Sequence, residues 1–113
     1  MRYADARRFV LSLPEVTEEP HFHYASYRVR GKIFVTVPPG QTHLHLFVAD
    51  HDRESALALD PSFLEKLLWG GKVVGLRAEL ARARPAVVKD LVRRAWLIKA
   101  PKSLAVKGDL PTG

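Results

Sequence analysis

The sequence predicts an α+β fold: an antiparallel sheet of about four strands with helices packed on one face. Three observations predict it. An amphipathic helical spacing opens the chain, a second one rich in arginine closes it, and between them run short alternating segments punctuated by Gly and Pro. With 113 residues, 47% of them hydrophobic, the chain has the size of one domain with its own core.

Ala6, Phe9, Val10 and Leu13 fall at i, i+3, i+4 and i+7, which places four apolar side chains on one helical face. Pro14 cannot continue that helix and pushes Leu13 toward extended geometry, so the helix ends near Ser12 and an acidic loop, Glu15 to Pro20, follows. From Ala25 to Val37, aromatic and β-branched residues alternate with polar ones around Arg30-Gly31, the pattern of a β-hairpin. Pro38-Pro39-Gly40-Gln41 turns the chain into a third strand, with Leu44, Leu46 and Val48 on one face and His43, His45 and Phe47 on the other.

Asp50 is a fitting N-cap for a helix running to Leu59. Pro61 suits a first helical turn, so Pro61 to Leu68 reads as a second short helix closed by Gly70-Gly71. Val74, Leu76, Ala78 and Leu80 alternate with polar or small residues as a fourth strand. Pro85 opens the last helix, whose stripe of Val88, Leu91, Val92, Ala95 and Trp96 faces the core while Lys89, Arg93 and Arg94 lie outside it. Pro101 ends it. The domain is thus expected over residues 1–102, with residues 103–113 a loosely ordered basic tail.

Several functions are excluded at this level. No cysteine is present, hence no disulfide, thiolate metal site or thiol nucleophile. No apolar stretch has the roughly 20 residues a bilayer demands, and the N-terminus lacks a secretory core, so the expectation is a cytoplasmic protein without a membrane partner. Ser12, Ser26, Ser55, Ser62 and Ser103 stand in no activating context, and Gly70-Gly71-Lys72-Val73-Val74-Gly75 is followed by no helix of the kind a phosphate-binding loop opens. Glu15, Glu18 and Glu19 on an open loop have no pocket to separate their acidities. Trp69 and Trp96, on apolar faces, read as core.

His21-Phe22-His23 and His43-Leu44-His45 each place two imidazoles on one side of an extended chain, with His51 a potential third ligand. Two-histidine pairs alone do not make a metal site. No metal and no cofactor are expected, and the chain reads as a binding protein rather than an enzyme.

The formal charge of +6 is unevenly placed. Residues 1–81 are balanced, ten basic against ten acidic, whereas Arg82 to Lys107 carries eight basic residues against Asp90 alone. Such a positive face favours phosphate-rich partners.

Three sets of residues also resemble a known family: Leu11-Ser12-Leu13-Pro14-Glu15-Val16, then Ser26-Tyr27-Arg28-Val29-Arg30-Gly31-Lys32-Ile33-Phe34, then Ala95-Trp96 followed by Ala100-Pro101-Lys102. In this order, from about Tyr3 to Lys102, they are similar to the MmcQ/YjbR family. That resemblance implies a frataxin-like α+β domain, commonly described as DNA-binding, with no catalytic residues to carry over. The sequence departs from the resemblance at Leu67 to Lys72, which is more compact than family members often show. Frataxin's iron-associated acidic ridge has no equivalent, because Asp5 on the first helix is opposed by Arg7 and Arg8.

The expected function is therefore nucleic-acid binding, to double-stranded DNA through largely sequence-independent phosphate contacts. Lys89, Arg93 and Arg94 on the last helix, Lys99 and Lys102 beyond them, and Arg28, Arg30 and Lys32 on the hairpin are the expected contact residues. The alternative is a protein-interaction or small-ligand domain that uses the open sheet face around His43, His45, Phe47 and Arg77.

Overall fold

Four hairpin turns link strands adjacent in the chain, and two of them are two-residue turns that rest on paired left-handed residues. Arg30 and Gly31 have φ of 49° and 82°, Gly70 and Gly71 have φ of 57° and 80°. Two consecutive positive φ values are what a two-residue hairpin turn of the I′ type demands, and its twist matches that of the flanking strands. A third turn passes through Phe22, also at positive φ and almost wholly exposed.

In the computed structural model, which describes residues 1–107, the order is α1 (Tyr3–Ser12), β1 (Val16–His21), β2 (Tyr24–Val29), β3 (Lys32–Val37), β4 (His43–Leu46), α2 (Asp50–Leu59), β5 (Leu64–Trp69), β6 (Lys72–Glu79), a 3₁₀ turn (Leu80–Arg82), α3 (Pro85–Lys99) and α4 (Lys102–Lys107). The strands form one antiparallel sheet in the order β1-β2-β3-β4-β6-β5. The helices α1, α2 and α3 lie on one face of it.

The α+β class and the helix-backed antiparallel sheet are as expected, but the sheet has six strands rather than about four. The supposed acidic loop Glu15 to Pro20 is largely β1. Its residues are mostly polar and exposed, so no apolar alternation marks it, and Pro20 is tolerated because β1 is an edge. The supposed helix Pro61 to Leu68 contains β5. Leu64 and Leu67, three apart, mimic a helical stripe; in a strand that spacing points them to opposite faces, and both side chains are buried. Leu64 belongs to the helix-side core, whereas Leu67 is buried outside it.

On the helix side, Tyr27, Val35, Leu46 and Leu76 are cross-strand neighbours in one fully buried row. Against them pack Ala6, Phe9 and Val10 of α1 and Val88, Leu91, Val92, Ala95 and Trp96 of α3. The Trp96 indole N–H donates to the Pro14 carbonyl at 3.1 Å, joining the last turns of α3 to the α1–β1 junction. A polar chain ties α1 to the sheet edge: Tyr3 donates to the Tyr27 hydroxyl, Tyr27 to the Glu18 carboxylate, and the Arg7 guanidinium grips that carboxylate from the other side at 2.7 and 3.0 Å. Arg7, followed by the Tyr27 bond, holds the Glu18 carboxyl below its usual range, while burial pushes the Tyr27 phenol up. Gly75 permits β6 to meet β4 closely, since a Cβ there would lie 2.2 Å from the Leu46 carbonyl oxygen.

Lys102–Lys107 is helical, with Leu104 and Ala105 against the core, so the segment expected as loose tail begins as α4. The rest of that tail, 108–113, lies outside the described residues.

Candidate functional site

The cations of α3 are largely engaged. Lys89 and Arg93, one turn apart, both lie 5.6 Å from the centroid of the Phe9 ring, and Arg93 also approaches Asp90 at 3.9 Å. Arg94 bridges Asp90 and Asp52, each at 2.9 Å, and so ties α3 to α2. Asp90, then Asp52, raises the Arg94 pKa further above its ordinary value. Arg84 and Arg82 pair with Asp60 at 3.0 Å and Glu79 at 3.8 Å. The expected line of phosphate-tracking charge along α3 is thus divided, its middle members serving the contacts between helices.

The hairpin residues divide too. Arg28 is half-buried on the sheet face away from the helices, its Nε 3.1 Å from Ser26 Oγ and 4.0 Å from Glu19. Arg30 closes a two-pronged bond on Glu15 at 2.8 and 2.9 Å, which raises its pKa. Glu15 follows Pro14, the acceptor of the Trp96 bond, so the β2–β3 hairpin tip and the final turns of α3 converge on one junction. Arg30, Lys32, Lys99 and Lys102 thereby come to one end of the molecule. Lys32 and Lys102 are exposed and Lys99 partly so, and within the described residues these three lysines form no ion pair. Lys72, beside Gly70-Gly71, belongs to the same end: β3 and β6 both begin there, past the last residue of β4.

The open face carries a polar row across all six strands: Glu19, Ser26, Thr36, His45, Arg77 and Glu65, each paired in register with the next. Ser26 donates to the Glu19 carbonyl at 2.7 Å, and Arg77 reaches Glu65 at 2.8 Å. The centre of the row differs. Thr36 and His45 are buried, and Thr36 Oγ1 and both imidazole nitrogens of His45 have no hydrogen-bond partner. Burial, then the neighbouring Arg77 and His43, pushes the His45 pKa down to about 4, so the ring is neutral. Around the row stand rings: Tyr24 lies 5.8 Å from His45, and Phe47 meets Trp69 edge-on at 5.2 Å.

The far-side placement of His43, His45, Phe47 and Arg77 is as read from alternation. The histidine pairs are not alike, however. The turn at Phe22 separates His21 from His23, and His43 is engaged by Thr42 Oγ1 at 2.8 Å. No group of three or more His, Asp or Glu that could hold a metal occurs among the described residues, and no helix among them is long and apolar enough to cross a membrane.

Trp69 was expected in the core and is instead 42% exposed, because it ends an edge strand on the face without helices. Lys72 was weighed only as part of a phosphate-loop pattern and not as a contact residue, and Thr36 was not singled out. A tryptophan directly before Gly-Gly and followed by lysine is itself a hairpin pattern, and read so it would have located both Trp69 and Lys72. A groove of about 390 Å³ lies between α2 and α3, floored by Ala56, Val87 and Leu91 and crossed by the Asp52–Arg94 bond.

The sequence pattern of the YjbR family matches residues 11–98, from the end of α1 through most of α3. No curated protein and no solved structure matches the chain.

Proposed function

The chain belongs to the YjbR family, and from that premise, taken with the geometry of its basic end, we propose that it is a nucleic-acid-binding protein that grips the phosphate backbone without reading base sequence. One observation carries the reading: the Trp96–Pro14 and Arg30–Glu15 bonds gather the hairpin tip and the close of α3 at one end, where Lys32, Lys99 and Lys102 form no ion pair with any described residue. Unpaired ammonium groups release counterions from a phosphate chain at no cost in broken bonds. Guanidiniums already held by carboxylates, as Arg94 is, must give those up first. Arg30, its fork closed on Glu15, is held in the same way and contributes only once that pair opens. Such contacts position a partner and leave its sequence unread, double-stranded DNA included. A binding protein of this kind is not an enzyme, works without a cofactor and belongs in the cytoplasm.

The test is fluorescence anisotropy of a labelled DNA duplex over a series of salt concentrations. Log affinity should fall with log salt by about 0.9 per phosphate contact. Reversing Lys32, Lys99 and Lys102 to Glu should flatten that dependence, whereas Arg94→Gln should leave it intact. Absence of binding at low salt, or an unchanged slope in the triple reversal, overturns the reading.

A further inference from the structure

We propose that the open sheet face takes unpaired nucleobases, stacked on the Phe47–Trp69 pair, while Lys32 and Lys72 hold the backbone of the same strand. This rests on the nucleic-acid reading above and names the class of nucleic acid that it favours.

Four observations converge. Trp69 is a large aromatic residue exposed on a face that no helix covers, held in place by edge-on contact with Phe47. A ring fixed in this way offers a π-face to any base, and loses little freedom when a base lands on it. Second, these two rings sit at the end of the face from which both positive-φ hairpin tips project, Arg30-Gly31-Lys32 and Gly70-Gly71-Lys72. β3 and β6 are separated by β4 alone, so Lys32 and Lys72 rise from strands about 10 Å apart, one to each side of the platform's approach. Cations that rim an aromatic surface are the complement of a single strand, whose phosphates and bases are both accessible. A duplex hides its bases and offers this face only its backbone.

Third, the centre of the face holds unmet hydrogen-bonding capacity in Thr36 Oγ1 and the two nitrogens of His45, next to the Tyr24 ring. A neutral imidazole presents one donor and one acceptor, and a hydroxyl presents both. The edge of a base carries the same mixture. Fourth, the arginines on this face are already bound to members of the row, Arg28 to Ser26 and Arg77 to Glu65.

The experiment uses the full chain with a labelled oligothymidylate, a duplex of equal length, and the protein's own tryptophan emission. Trp96 is fully buried, so quenching on addition of the oligonucleotide reports Trp69. The proposal expects tighter binding of the single strand than of the duplex, with quenching. It expects about tenfold weaker single-strand binding in Trp69→Ala, with duplex binding unchanged. Trp69→Phe should retain most of the affinity while abolishing the quench, which separates stacking from any defect in folding. Equal affinity for both forms, with normal salt dependence and no effect of Trp69→Ala, overturns this inference and leaves the backbone reading standing. Binding of neither form overturns both.

Discussion

The chain has two tryptophans, and they lead opposite lives. Trp96 is 0% exposed, enclosed between α1, α3 and the sheet, with its N–H given to Pro14. Trp69 is 42% exposed on the other side of the same sheet, touching Phe47 at 5.2 Å. Their neighbours in sequence are similarly apolar, so composition does not separate them. What separates them is whether a helix stands on their face of the sheet. One face is closed and carries the stability; the other is open, polar at its centre and ringed by aromatics, and is free to carry recognition.

The largest effect should come from Trp96→Ala, which removes the biggest fully buried side chain and should cost about 3–5 kcal/mol in urea unfolding. An equal loss from Trp69→Ala would break the comparison. Gly75→Ala, at the seam between β4 and β6, should cost up to about 3 kcal/mol, because the new methyl meets backbone that cannot yield.

Acid should act through the open face. His45 has a pKa of about 4 in the fold against an ordinary 6.5, so the unfolded chain takes up a proton that the folded one refuses over that interval. Its contribution to stability is complete above pH 6.5 and is lost as pH falls toward 4, by about 3 kcal/mol. Denaturant midpoints measured across this range should show the step in the parent protein and lack it in His45→Leu. Tyr27→Phe deletes the donor to Glu18 and leaves the Arg7 fork, and so should cost about 1 kcal/mol by the same assay. Smallest of all, Trp69→Ala should change stability by less than about 1 kcal/mol, its effect showing in binding instead.

Much of this division was legible beforehand. The stripes of α1 and α3, the Arg30-Gly31 hairpin and the far-side set of His43, His45 and Phe47 follow from periods of 3.6 and 2. The two edge strands were hidden for different reasons. β1 is polar on both sides, so it has no apolar period to find, and β5 is apolar on both sides, so its leucines imitate a helix. The basic site was half legible. Sequence counts charges but not their partners, and whether a cation meets Phe9, Asp52 or solvent depends on which helices become neighbours. Trp69 was misread because its strand was.

Those same edges govern how the molecule meets copies of itself. A six-stranded sheet ends in two rows of backbone groups that invite pairing with another chain. At β1 the invitation is withdrawn by Pro20, which has no N–H to offer, and by the carboxylates of Glu18 and Glu19. At β5 it is withdrawn by Glu65 and Lys66 and by the break in register at Leu67/Leu68. A protein that keeps one sheet face uncovered gains a surface for partners, and the chemistry of its margins keeps that sheet from growing.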